Sequence, residues 1–414
     1  MASFNLSNFD AAMKHMYPYK KVENMVYQNN PLLAMIPKST KFPGRNATFG
    51  VEYGLTNGRS ATFQTAQNNR SGTKIEDFVV TRVKDYAVVS VDNETLLAAD
   101  GNEGSLLDVA KSKTDSAIHA LSRAMGRDIY RGGTGQIGQV HASSFTGGGT
   151  ALVLIEGHGV NFEVGMRLKA SATDGSALYD GVLTVTAVNG DTLTTDVNLT
   201  VGIPSLSTSD FLYVEGDGSG STTNLTKIAG LDAWIPATVG SGAFFGVDRT
   251  QHATRLGGQR IDWNASMQQT IIDAAVRVAR EGGRPDACFM NPTQWATLAL
   301  DLEGQALVAG GKHNRRYDPK DKVGVFGFSS ISIATPTGMV DVYADHNCPI
   351  GVGYLLQLNT WEFKSLGTAP RLLDFDGLKG VRQSNEDGVE YRWGYYGNLI
   401  CKAPGFNARV ALTA

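Results

Sequence analysis

Cysteine is nearly absent from this 414-residue chain: Cys288, Cys348 and Cys401 stand apart, odd in number and in no CxxC pair. That excludes a disulfide frame, and the three read as reduced core thiols of a protein made in a cytosol. Charge is scarce too, with Asp, Glu, Lys and Arg at 19 % and a net charge of −3. No overall basic field therefore draws the chain to nucleic acid or anionic lipid. No run of about eighteen apolar residues occurs, so no membrane-spanning helix is expected. The opening MASFNLSNFDAAMKHMYPYK has no basic segment leading into an apolar core. No signal peptide is expected, and the chain reads as a soluble intracellular product. The seven histidines show no HxH, HxxxH or HExxH spacing, so no zinc site is assigned.

Motifs with catalytic or cofactor chemistry are equally thin. Gly133, Gly135 and Gly138 match the dinucleotide fingerprint by letters. That chemistry needs a strand before and a helix after, and here a helix precedes and none follows. Ser71–Gly72–Thr73–Lys74 matches SxxK but sits in a polar loop without the accompanying SDN and KTG elements. Gly310–Gly311–Lys312 lacks the spacing and the Ser/Thr of a phosphate loop. Asp345–His346–Asn347–Cys348 sets a base beside a thiol, but Pro349 marks it as a strand end. Asp374–Phe375–Asp376–Gly377 and Glu215–Gly216–Asp217–Gly218 are acidic turns without the full calcium-loop set. No cofactor is assigned, and the chain is not read as an enzyme.

What is abundant is glycine, at 48 residues, which favours turns, hairpins and bulges over helical bundles. The length gives room for two or three domains and a sizeable core. Asn8 or Asp10 can cap a short helix across 11–16, after which Pro18, Pro31, Pro37 and Pro43 hold the chain extended, and 29–33 reads as irregular. Asn46 to Tyr53 reads as an outgoing strand, and 55–74 as a polar tip with turn chemistry at Asn57–Gly58 and Asn69–Gly72. The return strand, Ile75 to Val91, would span roughly 55 Å if extended throughout, against a usual ~17–20 Å. A compact chain of this size has a radius of gyration near ~22 Å, so such an arm overshoots its own subunit. Gly104 to Arg131 reads as one amphipathic spine helix roughly 40 Å long, with Ala117, Leu121, Met125 and Ile129 on its apolar stripe.

Composition then shifts abruptly. From Gly147 to Gly220, short strands are expected at Ala151–Ile155, Met166–Ser171, Gly181–Val188, Thr192–Asp196 and Phe211–Glu215, a small barrel or sandwich inserted as a unit. From Leu225 the chain is mixed α/β. Asn264 is the expected cap of one helix, Asn291–Pro292 opens another, and strands follow within Val323–Val342 and Gly351–Phe363. His313–Asn314–Arg315–Arg316 forms a basic patch in the polar loop 304–323, read as a solvated or subunit-facing loop.

The order of these parts resembles the major capsid proteins of tailed phages with the HK97 fold. Local sequence carries the likeness: Gly230–Leu231–Asp232–Ala233–Trp234–Ile235 with Phe244–Phe245–Gly246–Val247–Asp248–Arg249, and Asn291–Pro292–Thr293–Gln294–Trp295 after Ala287–Met290. Val340–Asp341–Val342–Tyr343–Ala344–Asp345 and Cys348–Pro349–Ile350–Gly351 add to it. The resemblance spans nearly the whole chain except 147–220. It implies an α+β fold with an N-terminal arm (1–44) and an extended loop (45–92) lying across the adjacent subunit. It further implies a peripheral domain (93–133, 361–398), an axial domain (134–146, 226–360, 399–414) and a β-rich insertion (147–225). Arg59, Arg70 and Lys74 would be arm cations meeting a neighbour's carboxylates, Arg82 and Lys84 would lie near the hinge, and Arg315 and Arg316 near the capsomer centre.

The implied function is structural: hexamers and pentamers of an icosahedral virion shell enclosing double-stranded DNA, assembled in the bacterial cytoplasm. Partners would be other copies, a separate scaffolding protein (the arm begins at Met1), a portal, a decoration protein, and packaged DNA through non-specific contacts; no membrane is involved. Some such proteins cross-link a loop Lys to a neighbour's Asn. Lys74 is the candidate Lys, no partner is assignable, and non-covalent assembly is expected. Two other readings stand beside this one: an encapsulin-like compartment of the same fold, and a carbohydrate-binding or adhesive protein whose binding module is the insertion.

Overall fold

The long return strand is in fact two strands in two different sheets. The computed structural model describes residues 30–94, 109–142, 148–221, 224–308, 330–374, 377, 380–384 and 386–413. β2 (Asn46–Gly54) and β3 (Lys74–Thr81) close an antiparallel hairpin, and after Arg82 the chain enters β4 (Val83–Asp92), which pairs elsewhere. The ladder of the hairpin stops at Asn46 opposite Thr81. Pro43 has no N–H to donate and Gly44 takes φ +55, so nothing continues opposite Arg82. The expected 55 Å arm is therefore corrected to a hairpin of eight- and nine-residue strands carrying a separate tip.

Two further expectations change locally. Residues 31–35 are not irregular but form α1 (Pro31–Met35), because Pro31 occupies the first turn, where its missing N–H costs nothing, and Leu32 and Met35 are buried. Within the tip lies a short helix, α2 (Phe63–Asn68). The spine helix, α3 (Val109–Asp128), buries Ala117, Leu121 and Met125 as its stripe predicts. Its expected start at Gly104, the helix across 11–16, and Arg315 and Arg316 lie outside the described residues.

β4 joins a sheet with β1 (Lys38–Ser39), β16 (Trp361–Ser365), β17 (Arg371–Leu372), β18 (Val381–Arg382) and β19 (Gly388–Cys401). β19 is its trunk: one edge serves β16, β17 and β18 in turn, and the other holds β4 through ten residue pairs. The spine helix packs on this sheet.

All five strands expected in the insertion are present, as β6 (Ala151–Val153), β7 (Arg167–Ser171), β8 (Leu183–Asn189), β9 (Thr192–Thr195) and β10 (Phe211–Val214). A sixth, β5 (Gln136–Gln139), pairs with β10. Residues 136–139, expected with the axial domain, thus belong to this sheet. The order β5-β10-β7-β8-β9-β6 closes on itself, since Val140 bridges Leu154 and the Ile155 N–H donates to the Gln139 carbonyl at 3.0 Å. The result is a small closed barrel, which leaves no sheet edge. Short α4 (Leu199–Gly202) plugs one side with buried Leu199.

The third sheet runs β11 (Gln259–Ile261), β20 (Ala408–Ala411), β15 (Val352–Leu356), β12 (Ala287–Met290), β14 (Gly338–Ala344), β13 (Ser330–Thr335), with two parallel pairs among antiparallel ones. α7 (Met267–Arg280) lays Met267, Ile271, Ala274, Ala275 and Val278 on it, and α8 (Pro292–Val308) follows β12. Short α5 (Leu231–Trp234) and α6 (Ala253–Gly257) lead into this region. The cap of α7 is Ser266, which accepts from the Gln269 N–H at 3.2 Å. Asn264, the expected cap, instead bonds Asp273 at 2.7 Å.

Candidate subunit interface

The hairpin is anchored at its root by aromatic packing. Alternation along β2 and β3 puts Ala47, Val51, Tyr53, Phe78 and Val80 on one face, and all five are buried. Phe78 stacks on Phe49 with centroids 5.6 Å apart and meets Trp234 at 5.3 Å. Trp234 in turn meets Phe244 edge-on at 5.1 Å, and the Val79 N–H donates to the Phe245 carbonyl at 2.9 Å. Full burial of a side chain such as Phe78 contributes about 2–3 kcal/mol. Arg249 holds this platform from beneath, donating to the Ala233 carbonyl at 2.7 Å with its guanidinium 4.1 Å from the Phe244 ring centroid. Burial, and then the charge of Arg260, pushes its pKa down to about 10. At the outer end Arg255 donates to the Tyr53 carbonyl at 2.8 Å and pairs with Glu281 at 2.8 Å.

Towards its turn the hairpin becomes exposed. Leu55 is 75 % exposed, Phe63 79 % and Ile75 59 %. The tip is nonetheless ordered by its own bonds: Thr56 and Thr73 hydroxyls meet at 3.1 Å, and the Asn57 N–H donates to Ser71 at 3.1 Å. Arg59 and Lys74 are exposed there, while Arg70 donates to the Gln67 carbonyl at 3.1 Å and so closes α2. Between Gly54 and Lys74 the chain carries three cations and no carboxylate. Arg82 and Lys84 sit apart from these three, at the root. Arg82 donates to the Gly44 carbonyl at 3.0 Å and lies 5.8 Å from the Phe42 ring centroid; Lys84 lies 5.9 Å from that of Tyr86.

A buried ionic clamp joins this root to the barrel. Lys227, only 5 % exposed, pairs with Asp85 of β4 at 2.9 Å and with Asp217, just past β10, at 3.0 Å. Burial pulls the pKa of Lys227 down, but Asp85, Asp128 and Asp217 outweigh it, and the net shift is upward. Asp217 is raised by burial, with Lys227 opposing. The ammonium therefore stays charged. A second link is the ion pair of Arg123 on the spine helix with Glu163 of the barrel. The clamp escaped the sequence reading because its three members lie far apart in the chain; a lone Lys between Thr226 and Ile228 was its only trace.

The motifs with chemical letters resolve into structure. After Gly133 and Gly135, at φ +84 and +91, the chain enters β5 rather than a helix, so no helix N-terminus faces a pyrophosphate. Asp345 is 1 % exposed and accepts from the Tyr130 hydroxyl at 2.8 Å. Cys348 is buried with its thiol 3.5 Å from the Val352 carbonyl, and burial, then Asp345 and Cys288, raises its pKa far from thiolate formation.

No protein-family model and no curated protein sequence matches this chain. Among solved structures, a chain of the cyanophage A-1(L) capsid asymmetric unit aligns over 95 % of both chains with TM-score 0.56 at 11 % identity. A capsid chain of a native GTA particle aligns over 100 % of both at TM-score 0.47 and 9 % identity. The holo-SrpI encapsulin of Synechococcus elongatus PCC 7942 aligns over 100 % of this chain and 98 % of its own at 0.46 and 11 %. The first establishes the architecture: the chain has the α+β HK97-like capsid fold.

Proposed function

We propose that this chain is a shell-forming structural protein, the major capsid protein of a tailed phage, building hexamers and pentamers around double-stranded DNA. The observation that carries this reading is the hairpin tip. It exposes Leu55 and Phe63, with exposed Ile75 beside it at the start of β3, and is ordered by its own bonds. Large apolar side chains carried on one short exposed stretch are suited to burial against a partner. The fold shared with the cyanophage capsid chain supplies the partner, another copy of the same chain. In this reading Arg59, Arg70 and Lys74 meet carboxylates of the adjacent subunit, and the barrel stands outward, where a decoration protein reaches it. A separate scaffolding protein and a portal complete the assembly in the host cytoplasm, and the finished protein resides in the virion.

For the adhesive alternative no observation speaks beyond the barrel itself. The large apolar side chains exposed on the described barrel are Val160, Val164, Val188, Val197 and Val201, with no aromatic ring among them to stack on a sugar. An encapsulin-like compartment uses the same contacts and differs in its contents. Negative-stain microscopy of the purified chain, across salt and crowding conditions, tests the shell reading. Closed shells or ring-shaped capsomers are expected; monomers under every condition overturn it. Nucleic acid within shells recovered from the native host separates the phage reading from the compartment.

A further inference from the structure

Arg45, Arg82 and Lys84 line one cleft of about 430 Å³ with Val83, Tyr86 and Tyr396. No carboxylate is among these lining residues, in a chain whose net charge is −3. Arg45 and Lys84 are exposed, and Arg82 spends one guanidinium nitrogen on the Gly44 carbonyl. The acids of the adjoining cleft are already occupied: Asp85 and Asp217 by Lys227, and Glu215 by Arg167. Three cations with no counter-charge among the described lining residues repel one another, and a carboxylate entering between two guanidinium groups relieves that repulsion with charge-assisted hydrogen bonds.

The complement lies at the other end of the same sheet. From Lys84 to Asp92, β4 covers about 26 Å. At its far end Glu386 and Asp387, just before β19, are exposed; Asn93 donates its N–H to the Asp387 carbonyl at 3.1 Å and its Nδ2 to the Asp387 carboxylate at 2.7 Å, and exposed Glu94 follows it. Arg382 lies 3.8 Å from Asp387, but both side chains are more than two-thirds exposed, so the pair is weakly held. The peripheral sheet is thus cationic at the hairpin root and anionic at its distal turn.

We propose that the Arg45–Arg82–Lys84 cleft receives the Glu386–Asp387 turn of a second copy of this chain. The contact is heterologous, one end of the sheet against the other end of its neighbour's, the geometry that generates rings instead of isolated pairs. It rests on the shell reading above and names the surfaces by which copies meet. It is distinct from the tip contact, because it uses the root of the hairpin.

The test is a charge swap in the full-length chain. Lys84→Glu and Glu386→Lys each raise the critical concentration for assembly about tenfold or more at low salt, and the double variant returns most of that loss. Arg45→Glu, combined with Glu386→Lys in the same way, is the second route should Lys84→Glu fold poorly by circular dichroism. A double variant no better than its worse parent, or Glu386→Lys assembling like the unaltered chain, overturns the contact. So does a Lys84→Glu variant that assembles normally but retains less DNA, which reassigns the cleft to phosphate. An unaltered chain that never assembles defeats the shell reading itself; assembly without rescue defeats only this contact.

Discussion

Charge and burial act together on Lys227 and on His158. Removing the ammonium of Lys227 leaves Asp85 and Asp217 facing each other with little water, so Lys227→Met costs about 3 kcal/mol in urea unfolding. Adding Asp85→Asn and Asp217→Asn to that variant recovers most of the loss, an outcome that packing alone would not give. His158 works in the opposite sense. Its Nδ1 accepts from the Gln139 N–H at 3.1 Å across the seam that closes the barrel. Burial first, and then the charge of Arg131, pushes its pKa down from 6.5 to about 4, with Asp191 partly offsetting. Between those values the unfolded chain binds a proton that the folded chain refuses, so stability is full above pH 6.5 and declines as pH falls toward 4. The decline reaches up to about 3 kcal/mol. His158→Asn keeps an acceptor without a titration and flattens the denaturation midpoint measured between pH 7 and 4.5.

Among the elements, the hairpin separates into a root that folds the subunit and a tip that does not. Thr56 and Thr73 face each other where the tip begins, and Gly54 is already paired with Lys74. Deleting residues 56–73 joins Leu55 to Lys74; giving up the Gly54–Lys74 pair lets a short turn close over Glu52 opposite Ile75, with Phe78 still on Trp234. The melting temperature stays within a few degrees while shells disappear from negative-stain fields; normal shells would refute the role of the tip.

The same hairpin marks the reach of sequence reasoning. Alternation and turn residues located β2, β3 and five barrel strands, because each buries one face and ends at a turn residue such as Asn189–Gly190. Alternation could not show that 75–91 changes partners at Arg82, since a strand pattern is silent about which ladder it joins. β5 was missed because Gln136–Gln139 offers a single large apolar side chain, Ile137. The cap of α7 was misplaced for a backbone reason: Ala265 takes φ +51, which turns Asn264 away and presents Ser266 to the helix. Of the candidate interface, the tip cations Arg59, Arg70 and Lys74 can be named from the sequence, while the Lys227 clamp exists only after folding.

At the scale of the whole molecule, one apolar core crosses every expected boundary except that of the barrel. It runs from Leu32 and the hairpin through the spine helix to Phe289, Trp361 and Tyr395. The barrel keeps a core of its own, drawn wholly from residues between Ile137 and Leu212. Its ends meet, since the Ser219 N–H donates to the Thr134 carbonyl at 3.0 Å. A fragment of residues 134–220 is expected to fold alone and to give a dispersed amide spectrum, whereas collapsed amide shifts would show that the barrel depends on its host.

The crossing at Arg82 has a mechanical consequence. No loop separates β3 from β4, so tension on a docked hairpin passes without slack into the ten-pair ladder between β4 and β19. A pull along the strand loads those hydrogen bonds in shear, many at once, whereas a pull across it would peel them one by one. The direction in which a neighbour tugs thus decides whether the joint behaves as a stiff strut or as a zip.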